Sequence, residues 1–233
     1  MPFRSRKPAE ERDAPELKAG RITRLVAQKK DPNRVSIYID DRFAFGLHRD
    51  LLAEHRLAKG DELTAERQAE LVALDRRSKA FNRALHYIGY QPRSERQVRT
   101  KLREVGFNEE EVDFAIGRLH HYRYLDDEAF ARTFARSRLE GKAYGPSRVI
   151  LELTRKGVAR SIAESVVADL AEDDEVRERA ATLAAKRWRQ LARETDVRKR
   201  RKKVFDYLAR RGYGFDEARS AVEHAERGEE GEE

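Results

Sequence analysis

The 233-residue chain contains no cysteine. Disulfides, thiolate metal sites and cysteine nucleophiles are therefore excluded, and a reducing compartment suits the composition. Apolar residues are also scarce, at 39% of the chain with 8% aromatic. That is too little for one large round core and better suited to helix-sized apolar stripes beneath long charged faces. No apolar run approaches the roughly 18 residues of a membrane span. The first residues, MPFRSRK, lack the apolar core of a signal peptide. A cytoplasmic protein with no membrane partner is expected. His120 and His121 are adjacent, so a helix cannot point both at one metal. Gly141-Lys142-Ala143-Tyr144-Gly145 lacks the residue order and the preceding strand of a phosphate loop. Nothing assembles a catalytic constellation, so neither an enzyme nor a metal, nucleotide or other cofactor is expected.

Charge is what the chain has in abundance. Charged residues make up 40%, with 50 basic against 43 acidic and a net charge of +7. Such an excess points to an anionic partner, most often nucleic acid. The plainer alternative is a basic helical protein with solvated faces, so local patches matter more than the sum.

One spacing occurs three times. Leu102-x-x-x-Gly106, Leu153-x-x-x-Gly157 and Leu208-x-x-x-Gly212 lie 51 and then 55 residues apart. Apolar residues accompany each copy at fixed offsets: Val98, Val149 and Val204 before the glycine, then Val112, Ala163 and Ala218, and Ile116, Val167 and Val222 after it. These offsets place one apolar stripe on each of two helices around a glycine turn, and the helix before them supplies a third wall. The predicted walls are Ala80, Ala84, Leu85 and Ile88; then Phe130, Phe134 and Leu139; then Ala180, Leu183, Trp188 and Leu191. The fold class expected is mainly α: three tandem three-helix repeats in an elongated, curved array, preceded by a small antiparallel β segment with short helices.

The expected divisions are a disordered arm over 1–18, a β-rich domain over 19–74, repeats over 75–122, 123–171 and 172–225, and an acidic tail over 226–233. Alternation in Ile22–Gln28, Val35–Ile39 and Phe43–Leu47 predicts a three-stranded meander with turns at Asp31-Pro32-Asn33 and Asp40-Asp41. Helices are predicted near 49–56, 64–74 and 76–89. Ser94 with Gln97 reads as a capping box, and Asn108 and Ser161 as caps of third helices. Gly106, Gly157 and Gly212 read as positive-φ helix ends. Asp126 reads as an N-cap and Asp127 as a first-turn anion, rather than as a catalytic pair. Tyr87, Tyr90, Tyr122, Tyr124 and Tyr144 read as junction packing, with base stacking the alternative.

The second helix of each repeat is basic. It carries Arg93, Arg96, Arg99, Lys101 and Arg103 in the first; Arg148, Arg155 and Lys156 in the second; and Arg198, Lys199, Arg200, Arg201, Lys202 and Lys203, then Arg210 and Arg211, in the third. Together they predict a continuous basic strip for phosphates or an acidic protein surface. Arg132 and Arg136 either join it or pair with acidic neighbours. Reversal of Arg200, Arg201 and Lys203 to Glu is expected to weaken partner binding without unfolding the helix.

These residues carry a family resemblance. The stretch RQVRTKLREVG ending at Gly106, Tyr124-Leu125-Asp126-Asp127-Glu128-Ala129-Phe130-Ala131, and the segment from Gly145-Pro146 to Gly157-Val158 resemble bacterial RecX, the regulator of the RecA recombinase. Asn33 to Asp40 resembles the N-terminal extension of longer members. The third repeat departs most, with Ala225 where the others have leucine. The resemblance implies a non-enzymatic protein; no cofactor is expected, and the chain is expected to be a monomer. It would bind the groove of the RecA filament on single-stranded DNA and suppress ATP hydrolysis and strand exchange in recombination and repair. The basic strip makes direct contact with DNA a further expectation. A direct DNA-binding protein built of tandem basic three-helix units is the rival reading.

Overall fold

The computed structural model describes residues 17–230. Most of the expected N-terminal arm, residues 1–16, and the last three residues lie outside them. The chain divides into two compact units, residues up to 83 with 107–115, and residues 84–106 with 116 onward.

In the first unit, β1 (Gly20–Gln28), β2 (Asp31–Ile39), β3 (Arg42–His48) and β4 (Glu62–Leu63) form an antiparallel sheet in the order β3-β2-β1-β4. The short fourth strand is an addition to the expected meander. Asp40 and Asp41 turn the β2–β3 hairpin with φ of 46° and 65°, the sign a tight two-residue hairpin turn requires. The first hairpin turns at Lys29-Lys30, not at Asp31-Pro32-Asn33. A register shift between Ala27 and Gln28 lets β2 begin earlier and leaves Pro32, which has no N–H to give, unpaired. A second shift at Ile37/Tyr38 turns Phe43 outward against Tyr38, at 5.9 Å between rings. Phe45 and Leu47 stay inside with Ile22, Ile37, Leu63 and Leu71.

Helix α1 (Arg49–Glu54) follows β3, and α2 runs unbroken over Ala65–Tyr90. Two helices were expected there. Position 75 has no helix breaker, and Asp75 is held at 2% exposure as a hub. It takes two hydrogen bonds from Arg34, at 3.0 and 2.8 Å, one from the His48 N–H at 3.0 Å and an ion pair from Lys79 at 2.8 Å.

The remaining helices are α3 (Glu95–Glu104), α4 (Glu109–His121), α5 (Asp127–Leu139), α6 (Pro146–Arg155), α7 (Arg160–Leu170), α8 (Asp173–Gln190), α9 (Val197–Arg211) and α10 (Phe215–Glu230). In the second unit, α5, α6 and α7 enclose Ala131, Ala135, Leu139, Val149, Leu153, Ala163 and Val167. Helices α8, α9 and α10 enclose Val176, Ala180, Ala184, Trp188, Val204, Leu208 and Val222. The buried ridge of α5 is thus Ala131 and Ala135, with Phe130 and Phe134 only flanking it. The same alanine pair, four residues apart, is buried as Ala80/Ala84 on α2 and Ala180/Ala184 on α8. Two small side chains on one face let the neighbouring helices approach closely.

Repeat register also overrides local capping preference. The N-cap of α7 is Ala159, not Ser161, and makes no side-chain cap hydrogen bond. It occupies the position two residues after the glycine, where Asn108 exchanges hydrogen bonds with Glu111 at the start of α4. Helix α10 continues to Glu230, so residues 226–230 are helical rather than tail. Ala225 is buried there and Glu226 pairs with Arg201.

Candidate functional site

The three glycines end α3, α6 and α9 in the left-handed region, with φ of 90°, 97° and 89°. At Gly157, the Val158 N–H donates to Leu153 O at 3.2 Å and the Gly157 N–H to Thr154 O at 3.0 Å. The same pair of bonds recurs as Tyr213 to Leu208 and Gly212 to Ala209. These are Schellman turns, which satisfy the last carbonyls of each helix and fix the chain's exit.

Two of these turns receive another helix. Ser94, the buried N-cap of α3, closes a capping box with Gln97 and donates its hydroxyl to Lys156 O at 2.5 Å. A Cβ on Gly157 would fall under 3.0 Å from Arg96 Cβ, Cγ and Cδ. At the next junction, the Gly145 N–H donates to Arg211 O at 2.8 Å and the Ser147 N–H to Gly212 O at 3.2 Å. Arg148 adds a bond to Arg210 O at 3.0 Å. The N-terminus of α3 therefore meets the C-terminus of α6, and the N-terminus of α6 meets the C-terminus of α9. At the α6–α9 junction orphan N–H groups face orphan carbonyls, at the α3–α6 junction the Ser94 hydroxyl faces one, and at both opposite ends of the helix dipoles adjoin.

This arrangement joins the three basic helices end to end and leaves a groove at each junction. One, of about 260 Å³, is lined by Arg96, Thr100, Lys101, Glu104, Arg155 and Lys156. The other, of about 380 Å³, is lined by Arg148, Leu151, Glu152, Arg155 and Arg210. Arg155 borders both.

The strip cations differ in how free they are. Among the described residues, Arg96, Arg136, Arg155, Arg198, Lys202 and Arg210 are exposed and have no carboxylate partner. Others are engaged: Arg99 with Glu95 at 2.6 Å, Lys101 with Glu104 at 3.0 Å, Lys199 with Asp196 at 3.6 Å and Lys203 with Glu194 at 2.5 Å. Arg201 pairs with Glu226. Arg132 bridges Glu128 at 3.3 Å and Asp169 at 3.2 Å. Arg93 stacks over Tyr87 at 4.6 Å and Lys156 over Phe134 at 5.2 Å. Arg103 is exposed, and Arg211 donates to Lys142 O at 2.7 Å and Ala143 O at 3.1 Å. Glu95 and Glu152 are pushed up by partial burial, but hydrogen bonds from Arg99 and His120, and from Arg138 and Arg148, outweigh that and hold both below the usual carboxylate range.

Arg200 does not belong to the strip. It is 7% exposed, lies 4.3 Å over the Trp188 ring and donates from Nη2 to Trp188 O at 2.9 Å. A glutamate there would be buried among groups chosen for a cation, so reversal at Arg200 disturbs the fold. The repeat held the signal: Arg200 stands twelve residues before Gly212, as the buried Ser94 and Gly145 stand before Gly106 and Gly157.

Asp126 caps α5, accepting from the N–H groups of Glu128 and Ala129 at 2.9 Å each. Asp127 turns away and accepts the Glu95 N–H at 2.8 Å, tying α5 to the start of α3. Burial raises its carboxyl above the ordinary value even though that N–H opposes the shift. Among the described residues no group of side chains is suited to a metal, and no helix is long and apolar enough to cross a membrane.

Four family models match in sequence along the chain. The Regulatory protein RecX N-terminal domain matches residues 20–64, and the first, second and third RecX three-helix domains match residues 80–119, 126–167 and 173–222. The chain belongs to the RecX family. Among its relatives, the regulatory protein RecX of Clostridium perfringens strain SM101 is 32% identical over 87% of this chain and 95% of its own length. That of Bacillus velezensis is 30% identical over 88% and 77%. A crystal structure of a regulatory protein RecX superposes with a TM-score of 0.71 at 29% identity, covering 89% of this chain and 98% of that one. RecX from Lactobacillus salivarius gives 0.61 at 27% identity, covering 66% and 98%. The third repeat, the least faithful copy in sequence, is thus a RecX three-helix domain like the other two, and the chain is a regulatory protein at the level of its family.

Proposed function

We propose that this RecX-family chain binds the RecA filament on single-stranded DNA and lowers its ATP hydrolysis, strand exchange and growth. It acts as a cytoplasmic, monomeric, non-enzymatic regulator without a cofactor. The observation that supports this reading most is the pair of like grooves at the two helix junctions, where Arg96, Arg155 and Arg210 present cations with no carboxylate partner. An anionic surface that repeats along its length, as filament phosphates or successive protein subunits do, meets the same chemistry twice. Each phosphate neutralised adds about 0.9 to the slope of log affinity against log salt.

The test is filament affinity against salt for the chain and for its Arg96→Glu/Arg155→Glu/Arg210→Glu variant. Weaker binding with a shallower slope is expected. An unchanged affinity would remove the grooves from the interface. Tight, base-selective binding of bare duplex would favour a DNA-binding module instead.

A further inference from the structure

A further hollow of the second unit lies outside the basic strip. A groove of about 690 Å³ opens between the C-terminal end of α2 and the face of α5. Its floor is apolar, made by Leu85, Ile88 and Phe130. Tyr90 and Tyr124 stand at its edge, 74% and 55% exposed. Arg93 and Arg123 line it as well. Arg93 has its Nε buried without a hydrogen-bond partner, and Arg123 is held at a φ of 56° by the turn that ends α4. None of these groups is used by the reading above.

We infer that this groove takes a short acidic–apolar peptide segment of the protein partner: one aliphatic or aromatic side chain on the floor, with flanking carboxylates on Arg93 and Arg123. The apolar floor needs an apolar occupant, since exposed apolar grooves rimmed by polar groups mark interaction sites. Arg93, which already rests on Tyr87 and reaches the Gln91 side-chain oxygen, and the exposed Arg123 favour negative charge beside it, and Arg–carboxylate geometry supplies direction. A phosphate backbone fits less well, because it offers no apolar group to the floor formed by Leu85, Ile88 and Phe130. The inference rests on the filament reading, because it places the segment on RecA.

Thr133 and Ala129 line the groove on the exposed face of α5, so they can be changed without touching the core. Two matched variants, Thr133→Glu and Thr133→Lys, are compared for binding to RecA assembled on single-stranded DNA. Thr133→Glu is expected to weaken binding tenfold or more and Thr133→Lys to leave it equal or tighter, both with the parent melting temperature. A photo-reactive benzoylphenylalanine at position 129 is expected to cross-link to a RecA peptide bearing an apolar residue flanked by Asp or Glu. Equal effects of the two charges, no effect of either, or cross-links to the DNA strand would each overturn the groove while leaving filament binding intact. Failure of the parent chain itself to bind the filament would overturn both.

Discussion

Replacing Gly157 by alanine separates two costs that the structure places on the same residue. The first is conformational. Gly157 sits at a φ of 97°, and an L-residue held in the left-handed region loses roughly 1–2 kcal/mol. The second is steric. The new Cβ would lie under 3.0 Å from three carbons of the Arg96 side chain, including its Cβ. That atom cannot swing away as a flexible tip can, so the junction must open, at a cost typical of overpacking, about 1–3 kcal/mol. The sum is about 2–5 kcal/mol. Gly106 is the internal control: its φ is 90°, but a Cβ there meets no atom within 4 Å, so Gly106→Ala carries the conformational cost alone. Urea unfolding followed by far-ultraviolet circular dichroism should give the Gly157 variant the lower midpoint and an unfolding free energy about 1–3 kcal/mol below that of Gly106→Ala. Adding Arg96→Gly to Gly157→Ala removes the colliding Cβ and should recover part of the loss, less about 1 kcal/mol for a glycine inside a helix. Arg96→Ala removes Cγ and Cδ but keeps the colliding Cβ, and should recover less. Equal destabilisation by the two glycine replacements would refute the junction.

Three further outcomes follow from the same geometry. Arg200→Ala should cost about 2–4 kcal/mol in thermal or chemical unfolding, from its charged hydrogen bonds and its stacking on Trp188, whereas Arg198→Ala should stay within about 0.5 kcal/mol. Burial pushes the Asp75 carboxyl up, but Arg34 and Lys79 more than offset this and leave it below its ordinary value. Its contribution is therefore full above the unfolded value, near pH 4, and lost as pH falls through the folded one. Acid titration of stability should show that loss, and Asp75→Asn should flatten it. Asp127 is shifted upward, so its ionised form is the disfavoured one. Asp127→Asn keeps an acceptor for the Glu95 N–H and should melt no lower than the parent at pH 7, while Asp127→Ala should melt lower.

Most of the fold was legible because the repeat is written in residues whose backbone or burial leaves little choice. Leucine and glycine four apart, with valine four before the leucine, define both the helix and its end. Period-two alternation marked the strands. Where local chemistry and repeat register disagreed, register prevailed: Ser161 is a better cap than Ala159, but the Gly157 turn decides where α7 begins. Two ladder shifts in the sheet moved one turn and exposed Phe43, and a run of residues without context does not encode such shifts. The candidate site was legible in part. That α3, α6 and α9 are all basic is visible in sequence, as are i, i+4 pairs such as Arg148–Glu152. That Arg132 meets Asp169 and Arg201 meets Glu226 is not, because those partners lie 37 and 25 residues away. The apolar groove beside α5 was hidden for the same reason. Its walls come from two helices and two loops, and Leu85 and Ile88 read in isolation as ordinary core.

The junction cations Arg96, Arg155 and Arg210 are proposed to act on the RecA filament. The direct measurement is the rate of ATP hydrolysis by RecA on single-stranded DNA, with substoichiometric amounts of this chain or of its Arg96→Glu/Arg155→Glu/Arg210→Glu variant. The parent chain is expected to slow hydrolysis, and the variant, folded as judged by its melting temperature, to do so far less. A parent chain that leaves hydrolysis unchanged, or a variant that inhibits as well as the parent, would contradict it.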